Sequence, residues 1–319
     1  MAKVKQQDID LLKKKKLTFS EKLRFTWRQV VENKINYLML APFLIFFFLF
    51  TVLPVGASMV LSFTRYDILN NPVFIGWDNY LRMFLEDDVF IIALKNTLMF
   101  AVITGPVSYL LCFIFAWFIN DLPPIARAFF TVVFYAPTLA NIYFIFQYLF
   151  SSDMYGLANS ILMNLGLLDE PIALLKETDY MMTIVIIVQL GCSLGTGFLS
   201  FVAGLQNLDP SLAEAGAIDG VRNRFQELFY ITLPQMGGML MFGAVMQIAS
   251  SFAVGSISSS LLGNPSVDYA GHTLVLHIAD FGNTRFELGY ASAIAVFLFA
   301  LMIVTKAVIN KVLAKFSDD

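Results

Sequence analysis

The stretch "YLMLAPFLIFFFLFTVLPVGASMVLSF", residues 37–63, contains no charged side chain. A helix crosses a bilayer core with roughly 20 apolar residues, so this stretch is long enough to span a membrane. Composition extends that interpretation to the whole chain, because 58% of its 319 residues are hydrophobic and only 14% are charged. A soluble domain carries more charge on its surface. The sequence therefore predicts an all-α polytopic membrane protein.

Five further apolar runs of similar length follow along the chain. They lie at about residues 98–118, 128–150, 180–205, 236–262 and 288–310. We expect the second helix to begin earlier than its run, near Val89, with Lys95 close to the interface. The sequence thus predicts six transmembrane helices in one membrane domain.

Lysine and arginine are distributed unevenly between the loops. With the N-terminus in the cytoplasm, 16 of the 21 Lys and Arg residues lie on the cytoplasmic side. Positively charged loops favour that side, so we predict that both termini and the segment 209–235 are cytoplasmic. Residues 1–35 form a basic tail containing "LLKKKKLTFSEKLRFTWRQ", residues 11–29, with a possible amphipathic helix. A solvated tail that aids topology and a lipid-binding segment both remain open.

The apolar runs contain almost no ionisable side chain. Lys306, near one end of the last run, is the exception. Buried charges mark proton relays and ion-coupling sites, so a proton-driven or sodium-driven transporter is disfavoured. Their residues form no catalytic pair, the chain shows no metal-ligand spacing, and it has no G-x-x-x-x-G-K-[ST] loop. We therefore predict no catalytic residue, no metal and no cofactor in this chain.

Uncharged polar residues do occur within the runs. The fourth run contains "QLGCSLGTG", residues 189–197, and the fifth contains Gln247, Ser250 and Ser251. Buried polar groups need partners, and one interpretation is hydrogen bonding between neighbouring helices. The other is a neutral translocation path whose hydroxyl and amide groups match those of a cargo. The residues alone leave both interpretations open.

The segment "AEAGAIDGVRNRFQELFYITLPQM", residues 213–236, is a polar interruption between apolar runs. Asp209 with Pro210 favours a helix start, Ser211 with Glu214 has capping-box spacing, and Gly220 favours a stop. A second short helix should then run to Pro234, with one stripe formed by Phe225, Leu228, Phe229 and Thr232. The pattern predicts a helix-turn-helix that presents a flat docking face. An amphipathic loop lying on the membrane is the alternative.

Within this segment, "EAGAIDG", residues 214–220, and "ITLP", residues 231–234, resemble the EAA motif of ABC importer permeases. The segments "FIGWDNY", residues 74–80, and "GYASA", residues 289–293, are similar to the sugar-uptake branch of that family. Residues 36–67 resemble the F-type maltose permease subunit. The resemblance extends from Asn36 to the C-terminus. Two departures stand out: Gly216 replaces the second Ala of the motif, and Gly237 and Gly238 follow where many relatives have a further Pro.

This resemblance implies the type I ABC importer permease fold for residues 36–319, with six transmembrane helices, cytoplasmic coupling helices and an EAA loop at 209–235. It also implies a bacterial cytoplasmic membrane location and an importer of a sugar or oligosaccharide. The other components would be a G-type permease subunit, two ABC ATPase subunits that bind ATP and Mg, and an extracellular solute-binding protein. A permease for another small neutral or polar solute remains the alternative.

The resemblance also assigns residues to two roles. The implied ATPase-coupling residues are Glu214, Ala215, Gly216, Asp219, Gly220, Leu233 and Pro234. The implied substrate-path residues are Cys192, Ser193, Thr196, Gln247, Ser250, Ser251 and Val254. The identities in the second group differ from the aromatic and asparagine residues of relatives, which leaves open both the sugar and the share of it held by the partner subunit.

Overall fold

The computed structural model describes residues 31, 33–139 and 143–317. The predicted amphipathic helix of the basic tail lies outside the described residues, except for a few positions at its end. The remaining residues form an almost entirely helical chain that includes one two-stranded hairpin.

Five helical stretches are long and apolar enough to cross a membrane: Lys34–Leu61, Asp88–Asn120, Thr178–Gln206, Gly237–Leu262 and Leu288–Lys311. A bent pair, Pro124–Thr138 with Tyr143–Leu149, gives a sixth crossing if it counts as one. Numbered in chain order, with the bent pair as the third span, they match the six predicted runs. The second span begins at Asp88, close to the expected Val89. The third run, predicted as one helix, is described as two.

The helices of the chain, numbered in order, have the following bounds: α1 Lys34–Phe47, α2 Leu53–Leu61, α3 Asp78–Leu85, α4 Asp88–Asn120, α5 Pro124–Leu139, α6 Tyr143–Leu149, α7 Leu157–Asn164, α8 Thr178–Gly191, α9 Thr196–Gln206, α10 Pro210–Ile218, α11 Arg224–Glu227, α12 Leu233–Gln235, α13 Gly237–Phe252, α14 Ser256–Leu262, α15 Leu274–Ala279 and α16 Leu288–Ser317. Wider π turns lie at Phe48–Val52, Leu228–Thr232 and Asp280–Thr284, and a 3-10 turn at Val267–Tyr269. The strands are β1 Thr64–Arg65 and β2 Val73–Phe74.

Most of the first span belongs to a separate unit, residues 1–57. Its helix α1 buries no side chain, and apolar residues such as Leu38 and Met39 are exposed. Lipid is as apolar as these side chains, so exposure of this kind is compatible with a membrane helix.

The core of the second unit, residues 58–319, forms where the second, fourth and fifth spans pack together. Small residues allow the close approach, as is usual between membrane helices. A Cβ added to Gly243 would lie only 2.3 Å from Cζ of Phe201, and one added to Gly197 would lie 3.0 Å from Nε2 of Gln247. The glycines of these runs therefore determine how closely the fourth and fifth spans pack.

The hairpin is held against the start of the sixth span. Strands β1 and β2 are antiparallel, with Thr64 opposite Phe74. The amide of Asn79 donates to the carbonyl oxygens of Ser62 and Thr64, each at 2.9 Å. Gly289 donates from its backbone to Tyr66 at 3.0 Å, and a Cβ at Gly289 would lie 2.1 Å from the carbonyl oxygen of Thr64. The glycine of "GYASA" is therefore required for this contact.

Candidate functional site

The helix α10, which we call the EAA helix, is built as an exposed and well-terminated unit. Asp209 is its N-cap, and the Asp209 carboxylate accepts from the backbone N–H of Ser211 at 3.0 Å. The N-cap is therefore Asp209, whereas the capping-box spacing of Ser211 and Glu214 predicts a cap at Ser211. The helix ends at Ile218, and the Val221 N–H donates to the Gly216 carbonyl at 2.9 Å, with Gly220 at φ +102°. This is a Schellman ending, so Gly220 is the predicted stop.

The predicted coupling residues lie mostly on the solvent-exposed surface of this segment. Glu214, Ala215, Asp219, Gly220 and Pro234 are exposed, whereas Gly216 and Leu233 are half-buried. The EAA helix buries none of its side chains. The described part of the chain therefore leaves the surface of this helix accessible to another protein.

Gly216 is the point at which the EAA helix rests on the following turn. A Cβ at this position would lie 2.3 Å from Cδ1 of Ile231, so glycine lets the isoleucine approach the helix axis. Glycine in place of the usual alanine is what makes this close contact possible. The contact connects the EAA helix to the π turn Leu228–Thr232.

The stripe predicted for the second short helix is divided between two environments. Leu228 and Thr232 are buried, whereas Phe225 and Phe229 are 64% and 62% exposed. The helix α11 changes to a π turn after Glu227, and this change rotates the later positions away from a simple helical stripe. Leu228 belongs to the same buried apolar cluster as Ala116 and Ile119, near the end of the second span.

The EAA segment, residues 209–235, also contacts the second span through charged and aromatic groups. The guanidinium of Arg224 forms an ion pair with Asp121, the C-cap residue of that span. The same guanidinium lies 5.1 Å from the ring centroid of Trp117, and the rings of Trp117 and Phe225 are 5.6 Å apart. The sequence analysis did not predict these contacts, because Trp117 and Asp121 are about 100 positions away from Arg224 in the chain.

The predicted substrate-path residues occupy two different environments. Cys192, Ser193, Gln247, Ser251 and Val254 are buried, whereas Thr196 and Ser250 are exposed. Ser250 and Ser251 are adjacent in the fifth span and so point to different sides. The assignment of these residues to a substrate path stays a prediction. Thr196 and Ser250 are the two members of the set whose side chains are exposed.

Gln247 is the centre of a buried polar cluster between three spans. Its Nε2 donates to Sγ of Cys112 at 2.8 Å and to the carbonyl oxygen of Ser193 at 3.3 Å. Its Oε1 accepts from the hydroxyl of Ser108 at 3.2 Å. These bonds link the second, fourth and fifth spans, which is the structural role that the sequence left open for such residues.

An apolar groove of about 390 Å³ lies beside this cluster, between the second, fifth and sixth spans. Gln247 and Ser251 form part of its wall, together with Gly105, Pro106 and Tyr109. The groove has few polar groups, so it offers little to a hydrated solute.

A second buried network, which we call the histidine cluster, consists of Asp87, His272, His277 and Tyr290. Nε2 of His277 lies 3.0 Å from Oδ2 of Asp87, and the hydroxyl of Tyr290 donates to the same oxygen at 2.7 Å. Oδ1 of Asp87 accepts from the N–H of Phe90 at 2.9 Å, which caps the second span. His272 continues the chain, with its Nε2 3.2 Å from Nδ1 of His277.

The donors and acceptors of this cluster follow from its carboxylate. An ionised carboxylate only accepts, so Nε2 of His277 carries the hydrogen and Nδ1 of His277 accepts from His272. Nδ1 of His272 is then an unprotonated nitrogen, buried without a hydrogen-bond partner among the described residues. Burial, together with the nearby His277, lowers the pKa of His272 to about 4. Burial raises the pKa of Asp87, but the bonds from His277, Tyr290 and Phe90 outweigh it and hold that pKa well below its usual range.

The segment that carries both histidines is fixed to the second span by hydrogen bonds between side chains of that span and the backbone of the segment. The amide of Asn96 donates to the carbonyl oxygens of Tyr269, Ala270 and His272 at 2.9–3.2 Å. The hydroxyl of Thr97 accepts from the N–H of Leu274 at 2.9 Å. No pattern in the sequence indicates this site, because its polar residues lie outside the apolar runs or at their ends. Among the described residues, no group of three or more His, Cys, Asp or Glu could hold a metal ion.

Comparison with known proteins identifies the family. Residues 120–317 match the family described as "Binding-protein-dependent transport system inner membrane component". The chain is 31% identical over 294 residues to the "Probable ABC transporter permease protein YesP" of Bacillus subtilis (strain 168), covering 90% of this chain and 91% of that protein. It is 30% identical over 299 residues to the "Arabinooligosaccharides transport system permease protein AraP" of the same organism, covering 92% and 93%.

A solved structure shows the same fold. A chain of a bacterial ABC transporter, described as "involved in the import of the acidic polysaccharide alginate", superposes with a TM-score of 0.70 at 22% identity. The superposition covers 91% of this chain and 98% of that one. The family match, residues 120–317, includes the EAA segment, the fourth, fifth and sixth spans and the loop that carries His272. The chain belongs to the family of binding-protein-dependent transport system inner membrane components.

Proposed function

We propose that this chain is a permease subunit of an ATP-driven importer for a sugar or oligosaccharide that an extracellular solute-binding protein delivers. The observation that carries the proposal is the EAA helix, which is capped at both ends, exposed along its surface and supported from behind by Ile231. The family membership of the chain supports the transport role. The arabinooligosaccharide transport named for one relative supports the class of cargo.

In this proposal, movement of the ATPase subunits changes the side of the membrane to which the cargo path opens. The chain itself makes no covalent bond. Separate ATPase subunits bind ATP and Mg and hydrolyse the nucleotide. Glu214 and Asp219 on the exposed helix offer carboxylates to the ATPase surface, whereas Ala215 and Gly220 allow close approach. Leu233 and Pro234 lead directly into the fifth span, so that displacement of the EAA segment reaches that span through the backbone.

The proposed orientation places the EAA segment and both termini in the cytoplasm of a bacterium. The histidine cluster and the hairpin then lie on the outer side, because the second span runs from Asp87 to Asp121 and so separates the two ends. The proposed partners are a G-type permease subunit, two ATPase subunits and the solute-binding protein. The exposed residues Thr196 and Ser250 remain the proposed contacts for a neutral cargo.

The test combines purification with uptake. The chain is produced with the permease, ATPase and solute-binding proteins encoded beside its gene, and cells are supplied with labelled arabinotriose or lactose. We expect a heteromeric complex with two ATPase copies and uptake of at least one of these probes. A transport-competent homodimer, or a complex that takes up none of the probes, would contradict the proposal.

Glu214→Lys tests the role of the EAA helix within that experiment. Reversal of an exposed charge should leave folding intact and abolish ATP-driven uptake, since the carboxylate would no longer contact the ATPase. Glu170→Lys is the matched control, because Glu170 is also exposed and lies on the side proposed to face outward. Unchanged uptake by Glu214→Lys would remove the coupling role from this helix.

A further inference from the structure

The EAA helix is connected covalently to the fifth span but not to the second. It continues through α11 and α12 into Gly237, where the fifth span begins. The second span begins and ends well before this segment in the sequence. Movement of the EAA helix can reach the second span indirectly, through the fourth and fifth spans packed against it, or directly, through side chains of the EAA segment.

Two kinds of contact supply that connection. The first is apolar: Leu228 belongs to the buried apolar cluster that also contains Ala116 and Ile119 of the second span. The second is directional: Arg224 forms an ion pair with Asp121 while its guanidinium lies over Trp117 at 5.1 Å. Two groups of the second span, Asp121 and Trp117, thus hold the guanidinium, and Trp117 also contacts Phe225 of the same helix as Arg224.

Folding stability gives little reason for this arrangement. Asp121 is the C-cap of the second span, where a carboxylate is unfavourable because it lies near the negative end of the helix dipole. The side chains of Arg224 and Asp121 are 51% and 49% exposed, and exposed ion pairs contribute little to stability. A positional role explains why a carboxylate is placed here and paired.

We propose that Arg224, Asp121 and Trp117 form a tie that makes the second span move together with the EAA helix when the ATPase subunits close. This inference rests on the proposed function, because it assumes that an ATPase moves the EAA helix. Arg224 is a positioning residue in this scheme: it contacts neither nucleotide nor cargo. The outer end of the second span carries the histidine cluster, so the tie would transmit the movement across the length of the molecule.

Spin labels on the two elements test the tie in the assembled importer. One label replaces Ile218 of the EAA helix, which is 87% exposed, and the other replaces Val102 of the second span, which is 71% exposed. The native cysteines Cys112 and Cys192 are buried and should not be labelled. We expect the distance distribution between the labels to be the same without nucleotide and with ATP plus vanadate. In Arg224→Asp the distribution should broaden or shift in the vanadate-trapped state.

The charge-swapped pair separates the tie from a general effect on folding. Asp121→Arg combined with Arg224→Asp should restore the narrow distribution, whereas each single variant should not. Arg222→Asp is the matched control: it makes the same charge change two residues away, and no ion pair of Arg222 is found among the described residues. Arg224→Gln is the milder variant to use if Arg224→Asp does not assemble.

Transport gives the functional measurement. In proteoliposomes, sugar imported per ATP hydrolysed should fall about threefold to fivefold in Arg224→Asp, the range expected when one exposed ion pair is lost. ATP hydrolysis itself should persist. A distance distribution identical to that of the wild type in Arg224→Asp, or no recovery in the swapped pair, would overturn the tie. A wild-type complex that hydrolyses no ATP would instead overturn the proposed function.

Discussion

The second span has an aspartate at each end, and the two are in opposite situations. Asp87 at the N-cap is 10% exposed and accepts from His277, Tyr290 and the backbone of Phe90. Asp121 at the C-cap is 49% exposed and pairs with Arg224. The helix dipole favours the first carboxylate and disfavours the second. One end of the same helix is therefore fixed by a buried network, and the other is held by a contact that water can replace.

This difference has a physical consequence for movement. Breaking a buried network leaves charged and polar groups without partners, so the end with Asp87 should behave as one rigid unit with its loop. An exposed ion pair contributes little to stability, so one substitution at Asp121 or Arg224 should release the tie without unfolding the protein. In a transporter this end is the appropriate place for a connection to a moving partner, because the contact can transmit movement without being needed for folding.

Removing the two carboxylates in turn gives the largest expected effect. Asp87→Ala should destabilise the protein by about 3–5 kcal/mol, because His277 and Tyr290 lose a buried acceptor. Asp121→Ala should cost less than about 1 kcal/mol. The measurement is thermal unfolding of each variant in the same detergent.

The comparison also has an outcome that would contradict it. Equal losses in melting temperature for the two variants would mean that the network around Asp87 contributes no more than the exposed pair. Asp87→Asn serves as a milder variant if Asp87→Ala does not insert, since asparagine keeps the shape and one acceptor. It should lie between wild type and Asp87→Ala.

Acid should weaken the histidine end selectively. His272 has a pKa of about 4 in the fold, against an ordinary value of 6.5. Between these values the unfolded chain binds a proton that the folded chain does not, so stability is lost as pH falls from about 6.5 towards 4. The expected loss is about 1–3 kcal/mol over this interval. The contribution of Asp87, whose pKa is depressed, should be lost only at still lower pH.

Melting temperatures measured across this pH interval test the assignment to His272. The variant His272→Phe should be less stable at neutral pH, because His277 loses a donor, but its melting temperature should depend less on pH. The other titratable or charged groups near His272 are His277, Asp280, Asp87 and Arg285. A pH dependence in His272→Phe as steep as that of the wild type would move the effect to one of them.

The two ends also differ in how far the sequence predicted them. The EAA segment was recognisable because its signals are local: Asp209 and Pro210 start the helix and Gly220 ends it within a dozen residues. The histidine cluster joins Asp87 to His277 across 190 positions, and no local pattern indicates which distant residues will meet. The tie between Arg224 and Asp121 was missed for the same reason. The spans themselves were predictable because apolar length alone determines them.

The contact between the fifth span and the middle of the second span offers a smaller test. Gln247→Leu keeps the approximate volume but removes the bonds to Cys112, Ser108 and the backbone of Ser193. It should cost about 1 kcal/mol for the neutral bonds that it removes. Ser250→Ala on the exposed side should change stability by less than about 0.5 kcal/mol.

Uptake measurements separate the structural role of Gln247 from the proposed cargo contact of Ser250. If Ser250 contacts a passing sugar, Ser250→Ala should lower uptake or change sugar preference at an unchanged melting temperature. Gln247→Leu should lower the melting temperature first. Normal uptake of every probe sugar by a stable Ser250→Ala variant would remove Ser250 from the path and leave Thr196 as the exposed candidate.

The smallest expected effect is at Gly216, where the exposed end meets its own support. In Gly216→Ala the new methyl group would displace Cδ1 of Ile231, which is the flexible end of a side chain and can rotate away. The helix gains up to about 1 kcal/mol in propensity, which offsets part of the lost contact, so uptake should stay within about twofold of the wild type. Gly220→Ala is the matched control, because nothing blocks a methyl group there but its φ of +102° is strained for alanine. We expect Gly220→Ala to impair uptake more than Gly216→Ala. The reverse order would show that the position of the EAA helix depends on close contact with Ile231 more than on its ending, and the support behind the helix would then be as rigid as the histidine end.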